Sequence, residues 1–148
     1  MIEVEIEEAA WTAAAPEAGR LAAAAAAAAL DHEGARGGCD IAILLAGNAR
    51  LQALNAAFRG HDAATNVLAF PAASGPAGGL GDVALAFGVC RREAAEQGKS
   101  LADHLQHLAV HGVLHLLGYD HLTDAEAERM EARERAILAG LGVADPYA

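Results

Sequence analysis

Basic residues are scarce in this chain, and lysine is almost missing, with Lys99 the single one. Lys+Arg total 10 against 20 Asp+Glu, giving a formal net charge of −10. That balance excludes a simple basic nucleic-acid binder, because such a chain repels phosphate on average. Only two cysteines occur, Cys39 and Cys90. They form neither a Cys-x-x-Cys motif nor a disulfide framework, so both are read as free thiols in a reducing compartment. Aromatic residues make up 4% of the chain, and Trp11 is isolated, so no platform for stacked bases is evident. Long hydrophobic runs are absent too. The alanine run Ala22–Ala29 falls short of the roughly 20 apolar residues that span a bilayer. Five glutamates and only Arg20 precede it, the wrong charge for a secretory signal. The expectation is a cytoplasmic protein with no membrane partner.

What the chain has instead is alanine, 40 of 148 residues, within a hydrophobic fraction of 54%. This excludes a disordered chain and leaves the core to a modest set of Leu, Ile and Val. The length suits one domain over residues 1–148, burying roughly two-thirds of its unfolded surface. The acidity is unevenly spread. Residues 1–40 carry −6, residues 41–123 carry −1 with six of the seven histidines, and residues 124–148 carry −3. A site for a negatively charged substrate therefore belongs in the middle segment.

Ile2, Val4 and Ile6 alternate with Glu3, Glu5 and Glu7, the pattern of a half-buried strand with an acidic outer face. A helix is expected from a first turn at Pro16 through the alanine run to about Leu30. A turn over Glu33–Gly38 and a buried strand over Asp40–Ala46 follow. Asn48 is a candidate cap for a short helix through Phe58, ending near Gly60. Strands are expected at Thr65–Phe70 and Asp82–Phe87, separated by a Pro- and Gly-rich loop over Pro71–Gly79. A helix over roughly Arg91–Gln97 comes next. Ser100 with Asp103 opens a long helix to about Leu117, and Gly118 supplies a left-handed stop. Thr123 with Glu126 opens the last helix, to about Ala139. The order indicates an α+β domain, with a small mixed four-stranded sheet packed with about five helices.

Chemistry concentrates in His111–His121, HGVLHLLGYDH. His111 and His115, four apart, project from one helix face about a turn apart and reach a single metal ion. Gly118 turns the chain so that His121 returns as a third nitrogen ligand. Zinc is the expected ion, with an open fourth position for water, since neither cysteine is near enough in sequence to close the site. The plain alternative is a helix whose histidines happen to face inward. The spacing matches the metzincin protease motif, H-E-x-x-H-x-x-G-x-x-H, except that Gly112 replaces the glutamate base. A glycine accepts no proton, so ordinary peptide hydrolysis lacks its base here. Asp120 is the local carboxylate, with three roles open to it: orienting a ligand, contacting the water, or capping the turn. His104 and His107 share the same helical stripe and are expected as cleft walls rather than ligands. Arg91 and Arg92 form a weak basic pair, while His32 and His61 carry no usable signal.

A glycine after the first histidine and Gly-Tyr-Asp-His at the end of the motif resemble the YbeY family of bacterial rRNA maturation factors and single-strand endoribonucleases. Leu54-Asn55, Phe58-Arg59 and Thr65-Asn66-Val67-Leu68-Ala69-Phe70-Pro71 resemble its upstream block, and Leu80-Gly81-Asp82-Val83 its Gly-Asp strand. Met130, Ile137, Leu138, Leu141 and Gly142 fit its tail. Ala64 and Ala69 depart from it, standing where proline and serine are usual. The resemblance implies one zinc ion held by His111, His115 and His121, and a functional arginine at Arg59. A guanidinium suits that role because its planar fork of donors matches phosphate oxygens at any working pH. Asp120 joins Arg59 as the second catalytic candidate.

The implied function is zinc-dependent endonucleolytic cleavage of single-stranded RNA, rather than DNA. It would serve late small-subunit rRNA maturation at the 3′ end and ribosome quality control, with rRNA and the small ribosomal subunit as partners. Two other readings remain: a metzincin-like peptidase lacking its glutamate, and a non-catalytic ribosome-assembly module whose zinc only holds the fold.

Overall fold

The computed structural model describes residues 1–35, 40–72 and 79–148. The second half of the turn expected over Glu33–Gly38, the middle of the loop after Pro71, and Cys39 lie outside the described residues. Strands β1 (Ile2–Ile6), β2 (Asp40–Ala46), β3 (Val67–Pro71) and β4 (Gly79–Ala86) form one sheet in the order β1-β2-β4-β3. β1 pairs parallel with β2 and β2 parallel with β4, while β3 is antiparallel to β4 at the edge. The helices are α1 (Ala10–Ala14), α2 (Ala18–His32), α3 (Asn48–Arg59), α4 (Phe87–Glu96), α5 (Leu101–Leu116) and α6 (Asp124–Gly140). Four mixed strands with six helices among the described residues make an α+β fold.

The period-2 alternation of the strands divides the sheet cleanly. Ile41, Ile43, Leu45, Val83 and Leu85 enter the main core, where α2 and α5 cover the sheet. Ala46, Leu51, Leu68, Ala84, Ala86 and Val89 build a smaller cluster on the opposite face, under α3 and α4. Glu3 and Glu5 lie on that second face, as the acidic alternation requires. Ala18, Ala22, Ala25, Ala26 and Ala29 are fully buried along α2. Side chains this small permit close approach to α5, so the alanine run builds core despite adding little apolar bulk.

Several boundaries differ from the sequence expectation, each for a tertiary reason. α1 was not anticipated. Its Trp11 is fully buried, donates from Nε1 to the Ala46 carbonyl at 2.9 Å and meets Phe87 edge to face at 5.4 Å. A single tryptophan thus anchors a helix too short to hold itself. α2 starts at Ala18 with Glu17 as its N-cap, so Pro16 precedes the helix. Asn48 does not cap α3, whose N-cap is Gly47. Its Oδ1 instead accepts the Val89 backbone N–H at 3.0 Å, capping α4 from across the fold. With that N–H satisfied, α4 starts at Phe87, directly after β4 and ahead of the expected Arg91. β3 starts at Val67 because the Asn66 side chain turns back to accept the Val67 N–H at 2.7 Å. The Ser100 and Thr123 caps form as expected, accepting the N–H of Asp103 and of Glu126. No helix among the described residues is long and apolar enough to cross a membrane.

Candidate metal centre

Ser100 at its N-terminus and Gly118 just beyond its C-terminus delimit α5, and these local signals fix where its histidines point. Gly118 adopts φ 102°, a conformation that side chains disfavour. The Gly118 N–H returns to the His115 carbonyl at 3.0 Å, and the Tyr119 N–H to that of Leu114 at 3.0 Å. The reversal carries His121 back over the helix face that bears His111 and His115. Ring centroids are 5.1 Å apart for His111–His115, 5.5 Å for His111–His121 and 5.2 Å for His115–His121. One nitrogen from each ring lies within 4.8 Å of the other two, a spacing that suits three ligands of one ion. Burial, followed by the neighbouring His111 and His121, holds His115 below its ordinary pKa. Its neutral, ligating form is thereby favoured.

His111 has a carboxylate behind it that the sequence reading did not single out. Glu134, on α6 and only 1% exposed, accepts from His111 Nδ1 at 3.3 Å, His107 Nε2 at 2.7 Å and the Tyr147 hydroxyl at 2.9 Å. Burial alone would raise the Glu134 pKa. The hydrogen bonds from His107 and His111 overcome it, and the group falls to about 2. A carboxylate on Nδ1 leaves the His111 Nε2 lone pair for a metal, the usual second partner of a ligating histidine. The signal was present in the sequence. Met130, Ile137 and Leu138 define the buried stripe of α6, and Glu134 falls on that stripe as its one acid.

Gly112, at the position of the missing base, faces the sheet. A Cβ built there would lie 2.7 Å from Val83 Cγ1 and 3.1 Å from Cγ2. The contact of α5 with β4 therefore leaves any side chain at 112, glutamate included, crowded against Val83. His104 and His107 do not line the cleft as expected, because α4 and α6 lie against them. His104 is 3% exposed with Nε2 2.9 Å from Glu93 Oε1, and His107 is taken by Glu134. Asp120 Oδ1 accepts the His121 backbone N–H at 2.8 Å, which steadies the returning segment.

The three histidines open onto a cavity of about 340 Å³ whose lining also includes Asn55, Arg59, His61 and Asn66. His61 is thus brought to the site, although nothing in its sequence context marked it. Arg59 ends α3, where Gly60 closes the helix in the left-handed conformation. It donates from Nη2 to the Ala69 carbonyl at 3.0 Å. Asp62, a possible ion-pair partner, instead accepts from Gln52. Among the described residues no carboxylate pairs with Arg59, so its charge is available to the cavity. Arg91 and Arg92 remain on the outer surface of α4, over Phe87 and beside Glu96 respectively. Cys90 is buried, and burial followed by Glu93 pushes its thiol up to about 12, so it offers no nucleophile.

The family model for endoribonuclease YbeY matches residues 3–142. A protein of Paramagnetospirillum magneticum named endoribonuclease YbeY is 50% identical over 158 residues, covering 99% of this chain and 94% of that one. One of the same name from Azorhizobium caulinodans is 49% identical, covering 99% and 96%. A further one from Rhodopseudomonas palustris is 54% identical over 123 residues, which cover 76% of this chain and 63% of that relative's length. A solution structure of a Thermotoga maritima protein shares the fold, with a TM-score of 0.59 at 21% identity over 95% of this chain and 91% of that one. With the family model spanning nearly the whole chain and relatives near half-identical across it, this chain belongs to the endoribonuclease YbeY family.

Proposed function

We propose that this protein is a zinc-dependent endoribonuclease that cleaves single-stranded RNA in the cytoplasm. Its place would be late maturation of the small-subunit rRNA 3′ end and ribosome quality control. The observation that carries the reading is an arginine, with no carboxylate partner among the described residues, that lines one small cavity with a three-histidine cluster. His111, His115 and His121 would hold the ion. Once bound, zinc would supply Lewis acidity toward a phosphate oxygen and lower the pKa of water at neutral pH. The protein's own groups do the rest. Arg59, anchored through Nη2 on Ala69, turns its remaining donors to the non-bridging oxygens of the scissile phosphate and offsets the charge that builds in the transition state. Glu134 holds His111 Nδ1, and Asp120 holds the His121 backbone, so ligand geometry is set in advance. The net −10 charge argues for a locally focused site and a substrate delivered in a ribosomal context.

The test incubates rRNA precursor with wild type, Arg59→Ala and His115→Ala at verified zinc content. Wild type should cleave single-stranded regions, and both variants should lose most of that activity with the fold retained by circular dichroism. Equal cleavage by all three would indicate a contaminating nuclease and defeat the assignment. Cleavage of unstructured protein without cleavage of RNA would support a peptidase instead.

A further inference from the structure

The face of the sheet away from α2 and α5 carries an open groove of about 810 Å³, and Arg59 lines both this groove and the histidine cavity. Beside Arg59, on the last turn of α3, Phe58 is 70% exposed. Its ring is braced by Phe70 of β3, with centroids 5.4 Å apart and planes inclined at 59°. The other aromatic rings are otherwise engaged: Trp11 is buried against Phe87, Tyr119 donates to Glu33, and Tyr147 donates to Glu134. An exposed apolar ring braced by a second ring, next to a guanidinium with no carboxylate partner among the described residues, has the form of a stacking platform.

We propose that Phe58 stacks one unpaired nucleobase of the RNA strand whose phosphate Arg59 holds, and that this contact selects single strands over duplex. The inference rests on the endoribonuclease reading of the histidine cavity. Charge dictates which part of the strand enters the groove. Glu3, Glu5 and Asp82 line it, and Arg50 there is paired with Glu7 at 3.2 Å. Phosphates are repelled from that acidic lining, so the backbone stays on the Arg59 side and the base turns toward the rings. A base inside a duplex is already stacked and paired, and would have to be extruded to reach Phe58. No local signal marks this platform, because Phe58 and Phe70 become neighbours only when α3 lies on β3.

The experiment compares wild type with Phe58→Ala, Phe58→Tyr and Phe58→Trp. Substrates are a single-stranded oligoribonucleotide, versions carrying one abasic site at successive positions, and the matching duplex. Phe58→Ala should raise KM by about 5- to 150-fold, the usual strength of one base on an aromatic ring, while the aromatic variants stay near wild type. Loss on KM rather than kcat is the mark of a binding contact. One abasic position should cost wild type that same factor and cost Phe58→Ala nothing further. Because Trp11 is buried, fluorescence of Phe58→Trp should be quenched by the single strand and not by duplex, and this readout does not need cleavage. Quenching without cleavage by any variant would uphold the platform and refute the endonuclease reading. Unchanged KM in Phe58→Ala, with equal abasic losses in both proteins, would overturn the platform.

Discussion

Replacing Gly112 by alanine tests the packing that separates this site from a protease with the same histidine spacing. In an exposed helix interior the change would stabilise, by about 1 kcal/mol of helix propensity. Here the new Cβ would sit 2.7 Å from Val83 Cγ1, well inside contact distance. Val83 is fully buried on a strand paired on both sides, by β2 and β3, so it has little room to yield. Overpacking of this kind costs about 1–3 kcal/mol, and a contact this short belongs to the upper part of that range, about 2–3 kcal/mol. After the propensity gain a net loss of about 1–2 kcal/mol remains. For a chain of this length that lowers Tm by roughly 3–6 °C. Val83→Ala alone should cost about 2–3 kcal/mol for its missing methyl groups. The double variant should be about 2–3 kcal/mol more stable than the two losses added, since the methyls that meet the new Cβ are gone and the whole overpacking cost is relieved. Thermal and urea unfolding of the four proteins, all metal-free, completes the cycle. A Gly112→Ala protein as stable as wild type, or strictly additive losses, would refute the argument. The consequence reaches function, because α5 carries His111 and His115 and any retreat of the helix from β4 displaces both ligands.

Two further outcomes are expected. Glu134→Gln should weaken zinc affinity by about 10- to 100-fold in chelator competition with circular dichroism unchanged, because the carboxylate on His111 Nδ1 is lost; unaltered affinity would remove Glu134 from the site. His104 should remain neutral below its ordinary 6.5, since burial outweighs the pull of Glu93 and its buried Nδ1 has no partner among the described residues. With the folded pKa depressed, the unfolded chain binds the proton more readily, so this group's contribution is full above about pH 6.5 and is lost as pH falls below it. An NMR titration that places the His104 ring at or above 6.5 would contradict this.

Much of the site was legible because its signals are local. The i, i+4 pair, the Gly118 reversal and the Ser100 and Thr123 caps each act within a turn or two of chain, and all appear as the sequence implied. The strand alternation likewise fixed which residues face the core and which face out. Other features needed partners distant in sequence. Asn48 carries a capping side chain, but only packing decided that it serves α4 rather than its own helix. His104 and His107 share a stripe with the ligands, yet the carboxylates Glu93 and Glu134 from neighbouring helices occupy them.

The sequence by itself determined an acidic α+β chain with a neutral middle and three histidines spaced for one ion. Spacing along a helix and the conformational freedom of glycine are properties of the chain alone. Only the tertiary structure decided that Gly112 is crowded by Val83, that Glu134 stands behind His111, and that Arg59 lines one cavity with the histidines beside an exposed Phe58. Each of these is a contact between elements far apart in sequence, set by the order β1-β2-β4-β3 and the helices laid on its two faces. Residue types can be read in advance, but such contacts exist only once the core has closed.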